Sequence, residues 1–179
     1  MTSRKLIRVF IATLVASAFA PISAQTISHD SNAPVDVDAD HVEVQDRDGR
    51  FVWDGNVRVR QANLIMNAKR LTGTYHKVGD NPQLDRLDAQ GGVDFTLNDD
   101  SAHGDVAVYD LNRKIITLIG SVSLKQGGNS IQGGRLVYDL VSRHATLDGR
   151  GPSGGVEVIG GRAQPGRVTG HFIVPQRTQ

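Results

Sequence analysis

The sequence predicts an all-β protein, an open body of short antiparallel strands built from about four repeats. Three observations support this fold class. Apolar and polar residues alternate with period two, as in strands that have one buried and one solvated face. Clusters of Gly, Asn and Asp interrupt the alternation, and the resulting units recur along the chain.

The alternation is clearest in residues 57–60 and 93–98, where Val, Phe or Leu occupies every second position. Turn-forming clusters lie at residues 46–49, 98–100 and 126–129. No amphipathic helical pattern follows residue 24. These features favour short strands joined by tight turns.

The repeat is a direct one. Residues 109–111 (Tyr-Asp-Leu) recur 29 positions later at residues 138–140, and Gly120 recurs at the same offset as Gly149. Earlier and looser copies end at Gly55 and Gly91. Repeated units of this kind predict a stacked array whose terminal copies are atypical.

The first 24 residues have the pattern of a signal peptide. Cations precede an apolar run from Val9 to Ala20, which is about a dozen residues long, whereas a membrane-spanning helix needs about 20. We expect cleavage between Ala24 and Gln25. A retained single-span anchor is the alternative.

Removal of this segment takes away three cations, Arg4, Lys5 and Arg8, and leaves 17 Lys and Arg against 19 Asp and Glu. A near-neutral mature chain argues against a nucleic-acid-binding protein, which concentrates basic residues on one face.

The chain has no cysteine, so thiolate chemistry and cysteine-ligated metals are excluded. The mature length fits one domain.

The sequence predicts no catalytic, metal or cofactor site. The six histidines are scattered, without metal-ligand spacing. Residues 149–154 match G-x-G-x-x-G, but no helical pattern follows them. Asp36, Asp38 and Asp40 resemble the start of a calcium loop that lacks its later glycine and glutamate.

Four stretches together resemble the periplasmic lipopolysaccharide-transport protein A (LptA) family, with its OstA-like domain: residues 33–40, 51–61, 87–93 and 118–127. The resemblance covers about residues 33–150. It implies an open, twisted β-jellyroll, which we place at residues 33–160, followed by a C-terminal tail at residues 161–179.

The resemblance also implies a non-enzymatic function in the periplasm. The apolar interior of the jellyroll would hold the acyl chains of lipopolysaccharide. Such domains join edge to edge and form a bridge from an inner-membrane complex to the outer-membrane translocon. The implied partners are an inner-membrane bitopic Lpt component at the N-terminal edge, the translocon at the C-terminal edge, and further copies arranged head to tail.

Apolar positions of the alternation are predicted to line the interior and contact lipid, although each could serve only as ordinary core: Val42, Val44, Val57, Val59, Ile65, Leu71, Val93, Phe95, Leu97, Val106, Val108, Leu118, Val122, Leu124, Ile131 and Leu136.

Two stretches are predicted to form the sheet edges: Val35 and Val37 at the N-terminal edge, and Val156 and Val158 at the C-terminal edge. Acidic residues beside Val35 and Val37 have two equally supported interpretations. They protect an exposed edge from aggregation, or they belong to an edge that a partner strand extends.

Three other functions remain open from the sequence. The membrane-anchored sister component of the same pathway would retain its N-terminal helix. An exported structural or adhesin-like β-repeat protein would bind no lipid. A polysaccharide hydrolase would need paired carboxylates facing one cleft, whereas the repeated acids lie mostly in turns or on solvated faces.

Overall fold

The computed structural model describes residues 29–149, 157–159, 162–164 and 166–173. Within those ranges the chain forms twelve strands and one turn of 3₁₀ helix at Asp46–Asp48. The strands are β1 (Asp36–Asp38), β2 (His41–Gln45), β3 (Arg50–Gln61), β4 (Leu64–Val78), β5 (Asn81–Leu97), β6 (Asp100–Asp110), β7 (Ile115–Gln126), β8 (Asn129–Asp139), β9 (His144–Asp148), β10 (Glu157–Ile159), β11 (Arg162–Gln164) and β12 (Thr169–His171).

Ten of these strands form one open antiparallel sheet. Strands β3 to β8 pair in sequence order, because short turns join each strand to the next. Strands β1 and β2 both pair with β3, and β9 and β12 both pair with β8. The all-β, antiparallel prediction is confirmed.

A line of β-bulges crosses the sheet and divides its long strands. The register shifts after Asp54 in β3, after Gln90 in β5 and after Ile119 in β7. Gly55, Gly91 and Gly120, which end the first three repeat units, lie at these bulges. Gly120 has φ 84°, and a side chain there would also collide with Asp105, so glycine is required.

The bulges separate two halves of the sheet, which we call the first and second arms. The first arm is flanked by β2 and β9, and the second by β1 and β12. In β3 to β8 the first arm comprises residues 50–54, 70–78, 81–90, 106–110, 115–119 and 135–139, and the second comprises residues 57–61, 64–68, 93–97, 100–104, 122–126 and 129–133.

The two arms face each other across a shared apolar core. The Tyr109 hydroxyl of the first arm donates a 2.6 Å hydrogen bond to Gln61 Oε1 of the second. The rings of Phe95 and Tyr138, again from opposite arms, have centroids 6.1 Å apart. One continuous sheet thus covers its own apolar face and forms both layers of the domain.

The C-terminal edge differs from the prediction. Strands β9 and β12 form it, whereas Val158 pairs with Ala163 in a separate two-stranded sheet of β10 and β11. The edge positions along β8 are already hydrogen-bonded to β9 and β12, so the assignment of Val158 to that edge is wrong. Val156, Ala24 and Gln25 lie outside the described residues.

None of the helical structure in the described ranges is long and apolar enough to cross a membrane.

Candidate functional site

The interior face is lined by two apolar ladders, each running in register across strands β3 to β8. Residues that pair directly across an antiparallel sheet point to the same face, so each ladder forms a continuous stripe. The first-arm ladder is Trp53, Leu71, Ala89, Ala107, Leu118 and Leu136. The second-arm ladder is Val59, Met66, Phe95, Ala102, Leu124 and Ile131.

Most of the predicted interior residues lie on this face. Ile131 is half-buried at the C-terminal end of the second-arm ladder, beside β12. Ten others are buried in the shared core: Val57, Val59, Leu71, Val93, Phe95, Leu97, Leu118, Val122, Leu124 and Leu136.

Three predicted interior residues point to the outer face, and their assignment is wrong. In β4 the interior positions are Leu64 and Met66, then Leu71, because the bulge reverses the alternation between the arms. Ile65 therefore faces outward. In β6 the same reversal turns Ala107 and Tyr109 inward, and Val106 and Val108 face outward.

Val42 and Val44 are exposed, contrary to the prediction that they lie inside. They pair with Trp53 and Phe51 and so point to the interior side of the sheet. However, 50% of Val42 and 58% of Val44 remain exposed, because β2 is an edge strand. The apolar face thus continues to the N-terminal edge without a cover.

Val35 and Val37 lie where the N-terminal edge was predicted. Val37 pairs with Val59 through β1, and both valines are half-buried against the core. Their side chains therefore contribute to the interior, and the backbone of β1 forms the edge of the second arm.

Several buried residues were not predicted from the sequence, among them Leu64, Met66, Leu87, Ala89, Ala107, Tyr109, Ile116, Tyr138 and Leu140. The burial of Tyr109 and Tyr138 could have been predicted, since the two tyrosines occupy equivalent positions of the repeat. Ala89 and Ala107 gave only a weak indication of their face, because a small side chain removes little apolar area from water when it is buried.

A polar group lies within this apolar interior at the end of β3. Gln61 is only 2% exposed, and its amide accepts the hydrogen bond from Tyr109. Its Nε2 donates to the carbonyls of Ser31 and Ala33 at 3.1 and 3.0 Å. Burial raises the pKa of the Tyr109 phenol to about 12, although the hydrogen bond to Gln61 opposes that shift.

Aromatic rings line the N-terminal end of the first arm. The Phe51 ring stacks on Tyr75 with centroids 4.6 Å apart and contacts Trp53 at 5.3 Å. Hydrogen bonds from Lys77 and then Tyr75 lower the pKa of the Asp46 carboxyl. The interior therefore ends in an aromatic cluster with a charged rim.

The outer face carries the charged residues in separate pairs. Arg60 contacts Asp38 and Arg70 contacts Asp54, each at 2.7 Å, across neighbouring strands. His103 contacts the single carboxylate of Asp94 at 2.8 Å. Across the described part of the chain, no three His, Asp or Glu side chains converge as a metal site would require.

Taken as a site, this arrangement is a closed apolar interface between the two arms, which we call the slot, with one buried amide at its end. Such a slot suits a hydrocarbon ligand, since it offers dispersion contacts and excludes water. A family model described as "LptA/(LptD N-terminal domain) LPS transport protein" matches residues 36–144. The chain belongs to this family.

Similar proteins agree with that membership. The lipopolysaccharide export system protein LptA of Haemophilus influenzae is 24% identical over 153 residues, which cover 80% of this chain and 85% of that protein. An uncharacterized protein of Rhizobium meliloti is 26% identical over 150 residues, which cover 78% and 81% of the two chains.

The family fold is also found in a solved structure. The crystal structure of LptH, the LptA-homologous periplasmic component of the lipopolysaccharide transport device from Pseudomonas aeruginosa, superposes with a TM-score of 0.67 at 22% identity. The match covers 81% of this chain and 99% of LptH. The resemblance to the LptA family and the open β-jellyroll are thereby confirmed.

Proposed function

We propose that this protein is a periplasmic lipopolysaccharide carrier that shields the acyl chains of lipid A between its two arms. The observation that carries the proposal is the pair of apolar ladders. Every residue in both is apolar, and they extend from the exposed N-terminal edge to β8. Membership of a family named for lipopolysaccharide transport supports the same cargo.

The physical need for such a carrier is large. Removing an acyl chain from water is worth about 0.8 kcal/mol per methylene, or about 10 kcal/mol for a dozen carbons. A single chain therefore crosses an aqueous compartment only when it is covered. A slot lined by Leu, Val, Met and Phe side chains supplies that cover without requiring one fixed polar contact.

Cargo binding requires movement of the arms. The interior side chains already pack against each other, with Leu71, Leu118 and Val93 fully buried. An acyl chain would take the place of contacts such as that between Phe95 and Tyr138. The bulges already interrupt the ladders between the arms, so they are the places where the sheet would bend when the arms separate.

That same close packing favours one second candidate, an exported structural β-repeat protein without lipid cargo. Such a protein would keep the core closed, and its apolar interior would serve stability alone. Capture of lipid inside the slot, or its absence, separates the two functions.

The edges support assembly into a bridge between the membranes. Strands β1 and β2 end the sheet on one side, and β9 and β12 end it on the other, so a partner strand can extend it at either side. Exposed apolar side chains lie at both edges: Val42 and Val44 at the N-terminal edge, and Val168, Phe172 and Ile173 at the C-terminal edge. We assign the N-terminal edge to the inner-membrane bitopic Lpt component, the C-terminal edge to the outer-membrane translocon, and both to head-to-tail self-association.

The proposal includes export and the absence of enzymatic activity. Signal peptidase would cut between Ala24 and Gln25 and release the chain into the periplasm. Transport then depends on covering the cargo and needs no cofactor. Mass spectrometry of the purified protein should give Gln25 as the first residue, and an intact N-terminus would instead favour the membrane-anchored sister component.

Photo-crosslinking tests the cargo and the orientation of the strands together. A photoreactive amino acid at Phe95 or Val122 should capture lipopolysaccharide, because both side chains face the slot. The matched control is Thr96, which follows Phe95 on the opposite face of the same strand. Equal capture at Phe95 and Thr96 would contradict binding between the arms.

A further inference from the structure

The described chain begins with a short segment that lies across the opening between the arms. We call residues 29–33 the strap. Asn32 Oδ1 accepts a 2.8 Å hydrogen bond from Lys114 Nζ, which lies in the turn between β6 and β7 of the first arm. His29 Nδ1 lies 2.9 Å from Asn63 Oδ1, in the turn between β3 and β4 of the second arm. The strap therefore contacts the tips of both arms.

Beneath the strap, Gln61 connects three parts of the molecule. Its Oε1 accepts from Tyr109 of the first arm, while both of its Nε2 contacts go to the strap carbonyls of Ser31 and Ala33. Tyr109 is 1% exposed and Gln61 2%. Among the side chains that the structure describes, Gln61 is the one polar residue in the buried class, and these three contacts satisfy its amide.

The strap is held mainly by polar contacts. Its residues are half-buried or exposed, and the apolar packing of the N-terminal region begins only at Val35. Segments fixed by a few hydrogen bonds, with little buried apolar area, open at lower free energy than the strands that they cover. The strap also precedes β1, so it can leave without breaking the pairing of Val37 with Val59.

We propose that the strap is a latch. In the closed position it joins the arm tips through Asn32 and His29 and contacts the buried Gln61. It must leave the Gln61–Tyr109 pair before an acyl chain can lie between the arms. This inference rests on the proposed lipid-carrier function. It adds the place at which the interior opens and the residues that hold it closed.

A reversible tether tests the latch. The chain has no cysteine, so Asn32→Cys with Lys114→Cys introduces two unique thiols at a contact between the strap and the first arm. A bis-maleimide with a reducible centre would join them in the mature protein. The assay is photo-capture of purified lipopolysaccharide at Phe95, and the single variants treated in the same way are the controls.

We expect the tether to lower capture by about tenfold or more, and reduction of the linker to restore it, because only the open form binds. Equal capture before and after reduction would overturn the latch and leave the carrier function intact. The carrier function would be overturned, and the latch with it, if none of the untethered proteins captured lipopolysaccharide. These proteins are the reduced double variant, the single variants and the protein that carries only the photoreactive residue at Phe95.

A second variant tests the Gln61 contacts without a tether. Gln61→Leu keeps a similar volume and removes all three hydrogen bonds, so capture at Phe95 should become several-fold faster. Tyr109→Phe keeps the ring and removes one hydrogen bond. Its rate of capture should lie between that of the wild type and that of Gln61→Leu. Slower or unchanged capture by a folded Gln61→Leu protein would contradict the latch.

Discussion

The centre of the interior face and its N-terminal edge have the same sequence pattern but different environments. Leu118 in β7 has no exposed surface, whereas Val44 in β2 is 58% exposed. Both side chains point to the interior side of the sheet. Alternation therefore decides the face, but burial also requires neighbouring strands and the opposite arm.

We infer from this difference that the central residues serve mainly stability and the edge residues mainly binding. Truncating a central residue leaves a cavity that its neighbours cannot fill, so it should destabilise the fold. An edge residue has few neighbours to lose, so its apolar surface is available to a partner. Three predictions test the distinction, from the largest expected effect to the smallest.

The largest effect is expected from Leu118→Ala at the centre. Loss of a fully buried leucine side chain should reduce the free energy of unfolding by about 2–5 kcal/mol. Urea denaturation followed by circular dichroism measures this change. Val44→Ala is the matched edge variant and should change stability by less than about 0.5 kcal/mol. Similar losses in the two variants would contradict the distinction.

A pH-dependent effect of intermediate size is expected at Tyr109. Its pKa is raised to about 12 in the folded protein from an ordinary value of 10.0, so folding favours the neutral phenol. The corresponding stability is present in full below pH 10 and is lost as the pH rises towards 12, by roughly 2–3 kcal/mol. Denaturation of the wild type and Tyr109→Phe across this range measures the difference.

Comparison with Tyr109→Phe cancels the contributions that other groups make to stability in both proteins at high pH. The advantage of the wild type should shrink between pH 10 and pH 12. A constant difference across that range would mean that Tyr109 is accessible to water.

The smallest stability effect is expected from Val44→Asp at the edge. We expect a change of less than about 1 kcal/mol, because the new carboxylate remains in water. Head-to-tail association, measured by analytical ultracentrifugation, should nevertheless weaken, since a charge would enter the strand-addition surface. The control is Val78→Asp, which replaces another exposed valine at the end of β4, a strand that lies at neither edge of the sheet. Equal association of both variants would argue against the N-terminal edge as an interface.

The strand determines whether one alternating pattern gives the correct face on both sides of the bulge. Val57, Val59, Val93, Phe95, Val122 and Leu124 were placed correctly, because in the odd strands the interior positions before and after the bulge keep the same alternation. The predicted faces of Ile65, Val106 and Val108, in the even strands, are wrong. There the spacing across the bulge is three residues, from Ala68 to Leu71 and from Gly104 to Ala107, which reverses the alternation.

The latch contacts could not be predicted for a different reason. Gln61 and Tyr109 are 48 residues apart, and Asn32 and Lys114 are 82 residues apart. Position 61 continues the interior alternation of Val57 and Val59, but a glutamine at a strand end is usually solvated, so its burial was not expected. Its burial arises only when the second arm folds over the first and the strap covers it.

By itself, the sequence determined the all-β class, the repeat and the family, because these depend on local periodicity and on the positions of turn residues and glycines. The tertiary structure decided which side of each bulge faces inward and which strands form the C-terminal edge. It also decided that the strap meets both arms. Those features depend on pairing between distant strands, and pairing fixes the direction of a side chain more strongly than its own hydrophobicity does.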